Sequence, residues 1–126
     1  MPGAVDIRVA AINLGVPSEG ALATARTFWG AVLGRDLENW GGPSWQIRLG
    51  PDDASCFLNI RVRSSNEPHH GHTAAFGLSV PDVDATHRRA LAAGATEHYP
   101  PTDGENQPRH SLFEDPAGNR CVLWQA

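Results

Sequence analysis

Phe76-Gly77-Leu78-Ser79-Val80-Pro81-Asp82-Val83-Asp84 is the stretch on which the architecture of this chain turns. Large apolar and small residues alternate from Phe76 to Val80, which is the two-residue period of a strand. Pro81 breaks that strand, and Asp82 and Asp84 suit the positive end of a helix dipole. Asp82 to Ala93 then reads as a helix, with Gly94 placed to end it. The same order stands earlier in the chain. Ile7 to Leu14 is strand-like, Val16-Pro17 interrupts it, and Ser18 opens a helix to about Leu33 that Gly34 stops. That earlier helix carries an apolar stripe of Leu22, Ala25, Phe28, Trp29 and Val32. The two Val-Pro pairs lie 64 residues apart.

The repeat extends outward from these helices. After the first come strand candidates at Asp36 to Trp40, Ser44 to Leu49 and Ser55 to Val62, separated by Gly- and Pro-rich turns. Before and after the second come Thr73 to Val80, Thr96 to Tyr99, Arg109 to Glu114 and Arg120 to Gln125. The turn Gly50 to Ser55 matches Glu114 to Gly118 about 63 residues on. The chain is thus two copies of strand–helix–strand–strand–strand, about residues 5–63 and 72–126. Neither copy can cover both faces of its own sheet, so the expectation is one α+β domain over residues 1–126, completed internally or in a dimer.

Composition narrows the function. At 126 residues the chain is long enough for a real core, and 40% hydrophobic with 19% charged residues argues against disorder. A net charge of −4 without a basic block argues against a nucleic-acid module. No apolar run approaches the roughly 20 residues of a membrane span. The start MPGAVDIRVA lacks the basic and apolar regions of a signal peptide, so a cytoplasmic protein with neither nucleic acid nor membrane as partner is expected. All ten basic residues are Arg, which removes every mechanism that needs a lysine amine. Cys56 and Cys121 sit in strand-like apolar segments and read as buried free thiols.

Four motifs carry a resemblance. Phe76 to Asp84, the helix end Ala92-Ala-Gly-Ala-Thr96 and the turn Asp115-Pro-Ala-Gly-Asn119 resemble the vicinal oxygen chelate superfamily. That superfamily contains glyoxalase I, bleomycin-resistance proteins, fosfomycin-resistance enzymes and extradiol dioxygenases. Phe28-Trp29-Gly-Ala-Val-Leu-Gly34 is similar to its first-helix ending, with Trp29 where Tyr is more usual. The resemblance implies paired βαβββ modules whose sheets curl around a cavity with the helices outside, and commonly a homodimer. It does not fix the chemistry.

The family's enzymes usually hold one divalent metal with side chains on the first and last strands of each module. Carried over by motif and by repeat offset, the four positions are Ala11, Asn59, Ala75 and Val122. Ala and Val have no donor atom, and a single Asn amide is a poor ligand for a transition metal. The resemblance therefore implies a metal-free site and no cofactor, the alternative being one divalent ion on misregistered ligands. His69-His70-Gly-His72 is the other metal candidate, but its Pro- and Gly-rich surroundings read as a linker. His87 reads as a half-buried packing residue, and His98 has no evident partner.

Strand alternation, anchored on those four positions, sorts the remaining side chains. Trp45, Ile47, Leu58, Ile60, Phe76 and Leu123 fall on a helix-covered face. The cavity face receives Asn13, Gln46, Arg48, Phe57 and Asn59 from the first copy. From the second it receives Arg109, Ser111, Phe113 and Trp124, and Trp40 reaches its rim. His110 goes to the helix side. A concave surface of amides, guanidinium groups and aromatics without a carboxylate suits a polar, partly aromatic or anionic small molecule. The expected function is a metal-free small-molecule binding protein of the glyoxalase/bleomycin-resistance type, sequestering a drug or metabolite. The alternative is a metal-dependent lyase, isomerase or dioxygenase.

Overall fold

The computed structural model describes residues 8–51, 56–63 and 73–126. Its elements run β1 (Ala11–Val16), α1 (Glu19–Leu33), β2 (Trp45–Leu49), β3 (Cys56–Val62), β4 (Ala75–Val80), α2 (Val83–Ala92), β5 (Thr96–Gly104), β6 (Gln107–Glu114) and β7 (Arg120–Gln125). Each helix begins where a side chain can satisfy its free backbone N–H groups. Ser18 Oγ accepts from Ala21 N at 3.1 Å, and Asp82 Oδ1 accepts from Ala85 N at 3.1 Å. Gly34, in the left-handed region at φ 73°, ends α1 by donating to Gly30 O.

The strands form two curled, unclosed sheets, ordered β1-β3-β2 and β4-β7-β6-β5. The repeat survives in the hydrogen-bond register. Asn13 pairs with Asn59 in the first sheet, and Gly77 with Val122 in the second, both across parallel strands. Three expectations shift. The first strand runs Ala11–Val16, later than Ile7 to Leu14, and Ile7 lies outside the described residues. Asp36 to Trp40 contributes only an isolated bridge between Glu38 and Gln46. β5 continues through Pro100-Pro101 to Gly104, which an edge strand tolerates because those residues owe the ladder no N–H there.

Both sheets turn one face to a common core. Leu14, Leu58 and Ile60 from the first sheet and Phe113, Cys121 and Leu123 from the second are buried with Phe28 and Trp29 of α1. The Trp29 ring meets Phe76 at 5.7 Å and Phe113 at 6.0 Å, and its Nε1 donates to Asp115 Oδ2 at 3.1 Å. Asp115 also accepts from the backbone N–H groups of Ala117 and Asn119, which holds its turn closed. Asn119 Oδ1 in turn accepts from Ala74 N at 2.7 Å. Arg89 of α2 donates to Val32 O of α1 at 3.2 Å. Trp45 lies on the helix side as expected, with the Arg26 guanidinium 3.2 Å from its ring centre. Cys121 is buried, and burial raises its thiol pKa well above the ordinary value; Cys56 is only half-buried.

Candidate functional site

The face of the first sheet turned away from the helices is polar. Asn13, Asn59 and Gln46 are neighbours across β1, β3 and β2, and Asn59 Nδ2 donates to Asn13 Oδ1 at 3.1 Å. The adjoining row is Ala11, Phe57 and Arg48. Phe57 stands edge-on to Trp40 with ring centres 5.4 Å apart, and the Arg48 guanidinium lies 5.4 Å from the Phe57 ring. Trp40 is 56% exposed, and its Nε1 donates to Glu38 Oε2 at 2.9 Å. Asn39 fixes the loop that presents it, donating to Gly42 O and Ser44 O and accepting from Gly41 N. A cavity of about 550 Å³ opens here, lined by Arg35, Asp36, Glu38, Trp40, Gln46 and Arg48 among others. Arg35 reaches across it to the Arg48 carbonyl.

The open face of the second sheet is apolar in its middle. Ala75, Gly77, Leu112, Val122 and Arg120 line a cavity of about 430 Å³. Trp124 lies across Gly77. A Cβ at residue 77 would stand 3.1 Å from Trp124 Nε1 and 3.0 Å from Val122 Cγ1, so the missing side chain makes room for the indole. The cross-strand neighbour of Trp124 on β6 is His110, its ring 5.1 Å away and tilted by 37°. His110 Nδ1 is 2.6 Å from the Tyr99 hydroxyl. Toward the far end, Glu114 faces His98 at 3.2 Å and Arg120 at 3.5 Å, so His98 does have a partner.

These contacts invert the expected face of β6. Phe113 is fully buried against Phe28, Trp29 and His87. Alternation then carries Ser111 and Arg109 to the helix side with it. Ser111 Oγ is 2.8 Å from His87 Nδ1, and Arg109 makes a two-pronged bond to Asp84 on α2 at 2.9 Å and another to Asp103 at 3.0 Å. The Asp84 carboxyl is held below its usual range chiefly by its hydrogen bond to Arg109, whose own pKa rises for the same reason. Arg109 and Ser111 therefore leave the candidate site, and His110 enters it. His87 is 2% exposed rather than half-buried, and its Nε2 lies 2.8 Å from Glu97. The misreading has a cause. Leu112 and Phe113 are both apolar, so alternation on β6 offers two admissible phases, and only the aromatic packing on α1 separates them.

The metal positions can be tested on the donors they offer. Ala11 and Asn59 are diagonal neighbours on the first open face, as are Ala75 and Val122 on the second. Three of these side chains have no donor atom, and the fourth, Asn59, brings a single neutral amide oxygen, its Nδ2 donating to Asn13. They do not fit a divalent ion. Among the described residues no three His, Cys, Asp or Glu side chains are placed to hold one. His69, His70 and His72 lie outside the described residues.

Of the predicted ligand residues, the structure gathers Asn13, Gln46 and Asn59 in one row and Trp40, Arg48 and Phe57 beside it. Trp124 stands on the other sheet. Known proteins give this geometry a context. A structure of a glyoxalase/bleomycin resistance/dioxygenase family enzyme from Burkholderia phytofirmans PsJN matches with a TM-score of 0.74 at 15% identity, covering 94% of this chain and 98% of that one. A glyoxalase-related enzyme from Fulvimarina pelagi gives 0.71 at 18% identity, over 94% and 88%. TnmS3, an antibiotic binding protein from Streptomyces sp. CB03234, gives 0.68 at 24% identity, over 98% of each chain. At such identities these likenesses speak for the fold alone. Curated protein sequences give no match. The glyoxalase-like domain profile, however, matches residues 16–123, nearly the whole described fold, and the chain belongs to that family, within the vicinal oxygen chelate superfamily.

Proposed function

We propose that this protein binds a small molecule without a metal, holding a drug or metabolite against its open sheet faces. The observation that carries the reading is the donor set at the family's metal positions, Ala11, Asn59, Ala75 and Val122, which supplies one neutral amide oxygen and nothing else. In place of a metal centre the two faces offer stacking surfaces, Trp40 with Phe57 and Trp124 with His110, and orienting amides at Asn13, Gln46 and Asn59. Likeness to a structure described as an antibiotic binding protein supports the same reading. Elemental analysis after dialysis tests it. Stoichiometric Ni, Zn, Fe or Mn would overturn it in favour of a metal-dependent lyase, isomerase or dioxygenase.

The working form we propose is a homodimer in the cytoplasm. Both sheets give their helix faces to one shared core, so their open faces are directed away from it, and a second copy can close each face. Sedimentation at micromolar concentration should show twice the 13.5 kDa chain mass. A single 13.5 kDa species would remove the dimer and leave the binding faces to be tested separately.

A further inference from the structure

On the second open face, β5 departs from its pleat. Glu97 pairs with Phe113 and Tyr99 with Leu112, so two residues of β5 advance against one of β6. Before this bulge, Glu97 reaches His87 on the helix side, at 2.8 Å. After it, His98 and Tyr99, consecutive in sequence, both address the open face, His98 at Glu114 and Tyr99 at His110. A bulge re-aims side chains in this way. Without it Tyr99 would fall on the side of Glu97. The Tyr99 ring also stands edge-on to the imidazole, with centres 5.3 Å apart at 82°.

His110 Nδ1 is thus committed to Tyr99, and among the described residues nothing hydrogen-bonds Nε2. A tyrosine hydroxyl both donates and accepts, so the ring keeps its bond in either tautomer. With Tyr99 donating to Nδ1, Nε2 carries the hydrogen. With Nδ1–H donating to the Tyr99 oxygen, Nε2 presents a lone pair. The ring can then gain a proton at Nε2 without breaking its contact with Tyr99. The floor beside it is the Trp124 indole, its centre 5.1 Å away, within reach of a substituent on a stacked ring.

We propose that Trp124, His110 and Tyr99 form a subsite for a planar aromatic ligand bearing an acidic hydroxyl, a phenol or an enol, which is bound as its anion. The inference rests on the reading of these faces as ligand-binding surfaces. The ring stacks on Trp124, and the hydroxyl proton passes to His110 Nε2. One O–H bond breaks and one N–H bond forms, and no co-reactant is consumed. The product is an oxyanion paired with an imidazolium whose Nδ1–H donates to Tyr99. The charged groups on this open face, Glu114 on β6, Arg120 on β7 and His98 on β5, lie toward its far end, where Glu114 pairs with both of the others. β4 contributes only Ala75, Gly77 and Ser79 to this face.

The experiment uses the full chain and two probes, 4-nitrophenol and 4-nitroanisole, in slightly acidic buffer where free 4-nitrophenol is mostly colourless. Both should quench Trp124 fluorescence, read as the difference from a Trp124→Phe variant. Bound 4-nitrophenol should turn yellow as its anion and bind roughly tenfold more tightly than the anisole, the scale of one charge-assisted hydrogen bond. His110→Gln, checked for an unchanged thermal midpoint, should keep the quenching of both probes, lose the colour and bring the two affinities within about twofold. Tyr99→Phe should weaken the colour without abolishing quenching. Equal affinities with no colour in the native chain, or colour that persists in His110→Gln, would overturn the proton transfer while leaving small-molecule binding intact. Absence of quenching by either probe at millimolar concentration would overturn both.

Discussion

The two halves of this chain share a backbone and differ in what they lay on it. Asn13 and Asn59 in the first half occupy the same register as Gly77 and Val122 in the second. In the first half those positions carry amides bonded to each other at 3.1 Å; in the second they carry a glycine and a valine, and Trp124 lies across the glycine. The first open face is therefore a polar surface with an aromatic corner at Trp40 and Phe57, and the second carries an apolar hollow at Ala75, Gly77, Leu112 and Val122 and a separate cluster of Trp124, His110 and Tyr99. Their edges differ too. β5 pairs along β6 in the second half, while the corresponding stretch of the first half is reduced to one bridge at Glu38. The difference teaches that duplication preserves register, which backbone hydrogen bonds dictate, and leaves open-face side chains free to diverge.

What unites the halves should be far costlier to remove than what distinguishes them. Trp29 belongs to α1 of the first half but spends its ring on Phe76 and Phe113 and its N–H on Asp115 of the second. Trp29→Ala should destabilise the chain by about 3–5 kcal/mol in urea unfolding. Trp29→Phe, which keeps a ring but leaves the Asp115 oxygen short of one donor, should cost about 1–3 kcal/mol. Asn59→Ala, on a half-buried open face, should cost under about 1.5 kcal/mol. If Trp29→Ala cost no more than Asn59→Ala, the shared core described here would be wrong.

Ligand affinity divides the halves next. Trp124→Ala should weaken binding of an aromatic ligand by about 1–3 kcal/mol, the size of a stacking contact with its buried area. Asn59→Ala should cost about 0.5–1.5 kcal/mol, as for one neutral hydrogen bond. Titration by tryptophan fluorescence and by calorimetry measures both. The reverse order would make the polar first face the principal binding surface. Gly77→Ala sharpens the test, because the added methyl must displace Trp124 or Val122; it should lower affinity toward that of Trp124→Ala while removing no contact group.

Much of this architecture was legible before any coordinates. The two helices, their capping residues Ser18 and Asp82, and the paired registers follow from local chemistry repeated at a fixed spacing. The open face of the first half was legible as well, because apolar and polar residues alternate cleanly on β1, β2 and β3. β6 was not, since Leu112 and Phe113 are both apolar and the choice between them belongs to α1, far away in sequence. Tyr99 was hidden for another reason. A bulge breaks the two-residue period on which face assignment rests, and the consecutive Pro100-Pro101 beyond it read as the end of a strand that in fact continues. The bond from Trp29 to Asp115 spans 86 residues and has no local signature.

The smallest expected effect concerns how each helix is tied to its sheet. α1 meets β2 by stacking Arg26 on Trp45, whereas α2 meets β6 through the two-pronged Arg109–Asp84 ion pair. Only the second tie titrates at acid pH. Because Arg109 holds the Asp84 carboxyl below its usual range, the folded chain binds that proton less readily than the unfolded chain does. The pair's contribution is therefore full above the ordinary aspartate range and is lost as the pH falls through the lowered value. Both side chains are partly exposed, at 33% and 44%, so water and salt screen the interaction and the effect should be slight. Asp84→Asn should lower the urea midpoint a little at pH 7 and low ionic strength, and the gap from the native chain should close with added salt and toward pH 2. Arg26→Gln should give a difference that is the same at both pH values, since stacking on Trp45 involves no group that titrates there. A gap for Asp84→Asn that widened on acidification would show that the carboxyl is not stabilised as its anion, and that α2 is held to β6 by packing and the His87–Ser111 contact instead.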